Sequence, residues 1–159
     1  MYACAVDEDS TTLVGAYAGQ LQRDEDYERC IESILNSDAL AADRSQTHVC
    51  VLVTTADVAR PPPIWRRRMA DANNALRAEE YYFALVAPSV LVRGVFTAIN
   101  WLTRPRAGYH LAAFEHFSQA ADWVRVQTGK PYPQLERLYA TARTKLAEEP
   151  ESRTSSGTR

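Results

Sequence analysis

The chain has 159 residues, room for one domain with a single core, and its 46% hydrophobic and 24% charged residues are ordinary globular proportions, not those of a disordered or fibrous chain. A formal net charge of -2 supplies no global field for nucleic acid or an anionic membrane, so an electrostatic function would need a local patch. Three cysteines, Cys4, Cys30 and Cys50, form no CxxC pair and leave an odd thiol, which fits a reducing cytoplasm better than a disulfide framework.

The first residues, MYACAVDEDS, put acidic groups where a signal peptide needs a basic start and an apolar core, so no signal peptide is expected. Tyr2 to Val6 reads as a short strand closed by the polar turn Asp7-Glu8-Asp9-Ser10. Thr11 to Leu21 reads as its hairpin partner, with Gly15 and Gly19 marking a bulge or close packing. In RDEDYERCIESILNSDAL the residues Tyr27, Ile31, Ile34 and Leu35 recur at the spacing of one helix face. Asp24, Glu25 and Asp26 fall in its first turn, where carboxylates meet the positive end of the helix dipole, a simpler account than a metal site.

Thr47 to Thr55 (THVCVLVTT) is a third strand, apolar on both faces and therefore central. The loop ADVARPPP follows, with Pro63 or a neighbour fitted to the first turn of a helix whose buried stripe is Trp65, Met69, Ala72 and Leu76. Tyr81 to Ala87 is a fourth strand, again apolar on both sides, which needs layers above and below it.

Ser89 then caps a helix whose core-facing row is expected to be Leu91, Val95, Ala98 and Leu102. Val92, Phe96 and Ile99 are apolar too, so the helix is hydrophobic round most of its girth. Such a helix is either buried on two sides, here beneath the C-terminal helix, or shows an apolar face to a partner. The apolar run Val86 to Leu102 is broken by Pro88, Ser89, Arg93, Gly94 and Asn100, too short and too punctuated for a membrane span.

Tyr109 to Phe117 is the fifth strand, and Ser118 is the expected cap of a helix that runs to about Gln127 and stops at Gly129 and Pro131. A last helix over 133–147 carries Leu135, Leu138, Tyr139, Ala142 and Leu146 on one face. The domain therefore spans 1–147, and 148–159, with nothing to bury, is expected to be a disordered tail. Helical connections of this length make the joined strands parallel. The reading is an α/β sandwich of order ββαβαβαβα plus a C-terminal helix, on a mixed, mostly parallel five-stranded sheet.

Three segments, RPPPIWRRRMADANNAL, APSVLVRGVFTAINWL and FEHFSQAADWV, carry a resemblance that covers about Val6 to Gly129. In them the chain resembles the STAS-like family, the anti-sigma-factor-antagonist fold, and within it the SpoIIAA-like branch of small bacterial proteins. The resemblance implies the same sandwich and a regulatory, non-enzymatic role. In one place the chain departs from it. Where antagonists of that family carry an Asp-Ser-Ser-Gly-Leu type segment with a phosphorylated serine, this chain has Thr54-Thr55-Ala56-Asp57.

Ligands of open parallel sheets gather at the carboxyl ends of strands, an edge that here collects Thr54, Thr55, Asp57, Ser89 and Arg93. Arg93, a cation opposed by the helix dipole, is expected either to pair with an acidic residue or to help hold an anion. Arg66, Arg67, Arg68, Arg104 and Arg106 read as a solvated face, with no aromatic interleaving to suggest nucleic acid. His48, His110 and His116 lack metal-ligand spacing, Trp101 and Trp123 read as core or rim aromatics, and no GxSxG elbow frames a nucleophile. No cofactor, metal or catalytic residue is implied. Three expectations follow: a protein partner or homodimer bound through Val92, Phe96 and Ile99; a lipid or small amphiphile in an apolar pocket, by the likeness of STAS-like domains to lipid carriers; and a phosphorylation switch at Thr54, Thr55 or Ser89.

Overall fold

A computed structural model describes residues 1–9, 11–20 and 23–148. The expected tail lies outside them from residue 149 onward, as does Leu21 at the expected end of the second strand. The hairpin comes first, β1 (Tyr2–Val6) antiparallel to β2 (Thr12–Tyr17), in unbroken register from Tyr2 against Tyr17 to Val6 against Leu13. The acidic turn explains itself: the Asp7 carboxylate accepts from the backbone N–H groups of Thr11 and Thr12 at 2.9 and 3.0 Å. Gly15 marks close packing, because a Cβ there would meet Leu52 at 2.6 Å and Tyr2 at 2.9 Å.

The remaining order is α1 (Asp24–Asp43), β3 (His48–Thr54), α2 (Pro63–Ala75), β4 (Tyr81–Val86), α3 (Val90–Leu102), β5 (Tyr109–Phe114), α4 (Phe117–Thr128) and α5 (Gln134–Glu148). The sheet runs β1-β2-β3-β4-β5, parallel from β2 to β5. Strands that advance one way through right-handed crossovers place every crossover helix on the same face. Thus α1, α2 and α3 pack over Leu13, Cys50, Leu52, Phe83 and Leu85. On the opposite face α4 and α5 cover Val14, Val49, Val51, Ala84 and Val86. The result is the expected α/β sandwich, with β3 and β4 buried on both sides. Each large side chain so enclosed contributes about 2 kcal/mol.

Two expectations require correction. The fifth strand stops at Phe114, and the residue preceding α4 is His116, not Ser118. Gln119 reaches back to accept from the N–H groups of Glu115 and His116 at 3.2 and 3.0 Å, and Phe117 stacks on Tyr139 with ring centroids 4.2 Å apart, which together set the helix start early. The acidic first turn of α1 also does more than meet a dipole. Asp26, 1% exposed, accepts from the N–H groups of Tyr2 and Arg23, both at 3.1 Å, and Asp24 accepts from the Trp65 indole at 2.7 Å, tying α1 to the hairpin and to α2.

Candidate functional site

The phase of α3 decides where its apolar surplus goes. Ser89 caps it, its hydroxyl accepting from the Val92 N–H at 3.4 Å. Arg93 folds back to donate to the carbonyls of Ala87 and, at 3.0 Å, Pro88. Its guanidinium meets strand-exit carbonyls in place of an acidic partner. With the phase set, Phe96 stacks on Phe83 of β4, ring centroids 5.3 Å apart.

The two apolar rows of α3 consequently take places other than those expected of them, although Val95 and Ala98 of the expected inward row are half-buried and Val95 lines the space beneath the helix. Val92, Phe96 and Ile99, read from the sequence as a partner surface, are 7%, 8% and 6% exposed and belong to the core. Of the row expected to face inward, Leu91 and Leu102 are exposed, together with Val90 and, at 82%, Trp101. The C-terminal helix gives this face no cover, since the buried residues of α5 pack on the opposite side of the sheet. Trp101 is therefore neither a core nor a rim aromatic, whereas Trp123 is half-buried against Tyr82 and Phe114.

Beneath α3 lies a cavity of about 90 Å³ between the sheet and the three crossover helices. Its walls include Leu52 and Phe83 from the sheet, Ile34 from α1, Met69 from α2, and Val92, Phe96 and Ile99 from α3, with Val58 and Pro61 of the proline loop at one side. The lining is almost wholly apolar. Its thiol, Cys30, is raised by burial to about 12 and stays protonated at neutral pH, so it is no nucleophile.

The polar edge is divided rather than assembled. Thr54 is buried, its hydroxyl donating to the Val86 carbonyl at 3.4 Å, which corrects its reading as an accessible phosphorylation site. Ser89 is engaged in its cap. Thr55 is exposed and donates to the Asp57 carboxylate, a bond that holds the pKa of Asp57 below the usual carboxylate value. Two of the arginines are likewise engaged. Arg68 lies 4.2 Å over the Trp65 ring and 3.2 Å from Glu28, while Arg106 donates to the Leu76 carbonyl at 2.7 Å and stacks 4.7 Å over Tyr109.

His48 is fully buried beside Asp38, and His110 stacks on Tyr82 with centroids 4.7 Å apart. Among the described residues no group of His, Cys, Asp or Glu is placed to hold a metal ion, and no helix is long and apolar enough to cross a membrane. The fold and site define an α/β sandwich whose conspicuous surface feature is apolar. Comparison with protein-family models, curated proteins and solved structures gives no match.

Proposed function

We propose that the chain is a non-enzymatic, STAS-like regulatory module that acts by docking a protein on the outer face of α3. The observation carrying this reading is the exposure of Val90, Leu91, Trp101 and Leu102 on one helix that, among the described residues, no other element covers. Large apolar side chains gathered on one exposed helix often mark a binding surface. The element order and the chain-ordered sheet support the STAS-like part of the proposal, and the engagement of the strand-exit side chains within the fold supports the non-enzymatic part. The test is capture from the native cell with tagged wild type and Trp101→Glu. A protein retained by wild type and lost by the variant is expected. Identical captures by the two would remove the reading.

A second reading rests on the cavity under the same helix. Its apolar lining suits a small hydrophobic molecule, or the end of an amphiphile's chain, entering by the proline loop. At about 90 Å³ it holds a fragment and not a whole lipid unless α2 or α3 moves, because drug-sized pockets run to roughly 300 Å³ or more. Native mass spectrometry of the purified protein is expected to show a retained small mass. Repeated spectra of the bare chain would count against a tight carrier.

A further inference from the structure

The occupant of the α3 face is specified more closely by the order of residues along it. Resting on the docking reading above, we infer that a second copy of the chain is what covers this face, with the two α3 helices antiparallel across a twofold axis near residue 96.

The apolar outward row reads Val90, Leu91, Gly94, Ala98, Trp101, Leu102, with Ala98 half-buried and the exposed Thr97 at its margin. Reflected about position 96 it maps onto itself: 90 falls on 102, 91 on 101, and 94 on 98. In residue types that is large, large, small, small, large, large, the pattern an isologous contact requires, since each residue must meet the mirror position of the other chain. The small pair sits at the crossing point, where two helix backbones can approach closely, and the large pairs close the ends.

Gly94 fits nothing within the monomer. A Cβ placed there meets no atom of the described residues within 4 Å, so no packing among them requires glycine, although glycine in a helix interior is unfavourable by about 1 kcal/mol relative to alanine. A neighbouring backbone from outside supplies a reason.

Charge and area agree. Arg93 is the one charged residue of α3, and its guanidinium is turned back to the Ala87 and Pro88 carbonyls, so two copies of this face bring no like charges together. The four large side chains expose on the order of 500 Å² between them, against the roughly 800 Å² each partner gives to a stable pair. The flanks of the helix have only to supply the remainder.

Light scattering on a sizing column and sedimentation equilibrium test the inference on the full chain. Wild type is expected to be a dimer at about 100 µM, well above a micromolar dissociation constant. Trp101→Glu should weaken the pair by at least about 30-fold, the effect of losing a central aromatic anchor. Gly94→Gln should weaken it comparably while its melting temperature as a dilute monomer does not fall, because its side chain enters open space.

Orientation is read by disulfide trapping in a Cys4→Ser background. A mixture of Val90→Cys and Leu102→Cys chains should cross-link, and neither alone should, because identical positions lie about 18 Å apart along antiparallel helices. Cross-linking of each variant with itself, or a Gly94→Gln dimer as tight as wild type, would overturn the antiparallel crossing. A strictly monomeric wild type would overturn the second copy altogether. The docking reading would then stand or fall separately on the Trp101→Glu capture.

Discussion

Gly108→Ala is expected to cost at least about 3 kcal/mol of unfolding free energy, although it adds a single carbon. Gly108 has a φ of +79°, and a Cβ there would lie 2.0 Å from the Glu79 carbonyl oxygen, a main-chain atom that cannot swing aside as a side chain does. The left-handed conformation alone opposes alanine by about 1–2 kcal/mol, and the clash adds the rest. The position also makes the first rung between β4 and β5, since the Tyr81 N–H donates to the Gly108 carbonyl at 2.8 Å. Relief of the clash must therefore shift the strand that flanks α3. Urea unfolding of wild type and variant at neutral pH measures the difference. A loss under about 1 kcal/mol would show that the 103–108 loop rearranges freely and sets no register.

Asp38→Ala should be as damaging for a different reason. Asp38 is 2% exposed, and its two oxygens accept from the backbone N–H groups of Arg77 at 2.6 Å and Ala78 at 3.1 Å, joining α1 to the connection that leads into β4. Alanine leaves both donors without a partner in the interior, at roughly 1–3 kcal/mol each, so a total near 3 kcal/mol is expected. His48 lies 3.6 Å from the same carboxylate and loses its neighbour as well.

The linked pH dependence has a definite sign. Burial alone would raise the pKa of Asp38, but the contact with His48 and the bonds from Arg77 and Ala78 outweigh it and hold the pKa below the ordinary carboxylate value. A depressed folded value means that the unfolded chain binds the proton more readily. The stabilisation is thus complete above the unfolded pKa near 4 and is lost as pH falls through the lower, folded one. Asp38→Asn, which has no proton to take up, should lose stability at neutral pH and show a shallower acid slope, the gap to wild type closing in strong acid. Parallel stability curves for the two proteins from neutral to acid pH would refute this role for the carboxylate.

Much of the architecture was legible because strand burial and helix amphipathicity leave different periods in a sequence. THVCVLVTT and YYFALV are apolar at both parities, which only strands covered on two faces tolerate, and they became β3 and β4 at the middle of the sheet. The stripe Leu135, Leu138 and Ala142 marked the buried face of α5 for the same reason. The hairpin, the parallel run and the Ser89 cap likewise followed from short-range chemistry.

The site was less legible, and α3 shows why. Two of its rows, Leu91-Val95-Ala98-Leu102 and Val92-Phe96-Ile99, both satisfy helical spacing, and periodicity ranks neither above the other. One signal was available: Gly94 lies on the outward face beside the first row, where a core-facing helix seldom places glycine. The cavity left no trace at all in the sequence, being assembled from six separate elements and a loop.

The order of elements, the two-faced burial of the central strands and the apolar excess of the Val90–Leu102 segment were determined by the sequence alone, because each depends on neighbours a few residues apart. Which side of that segment meets the core, and that α5 packs on the far face and does not cover the other side, was decided only by the tertiary structure. The physical reason is that helix phase depends on contacts distant in the chain: the strand-exit carbonyls that hold Arg93, and the Phe83 ring that receives Phe96.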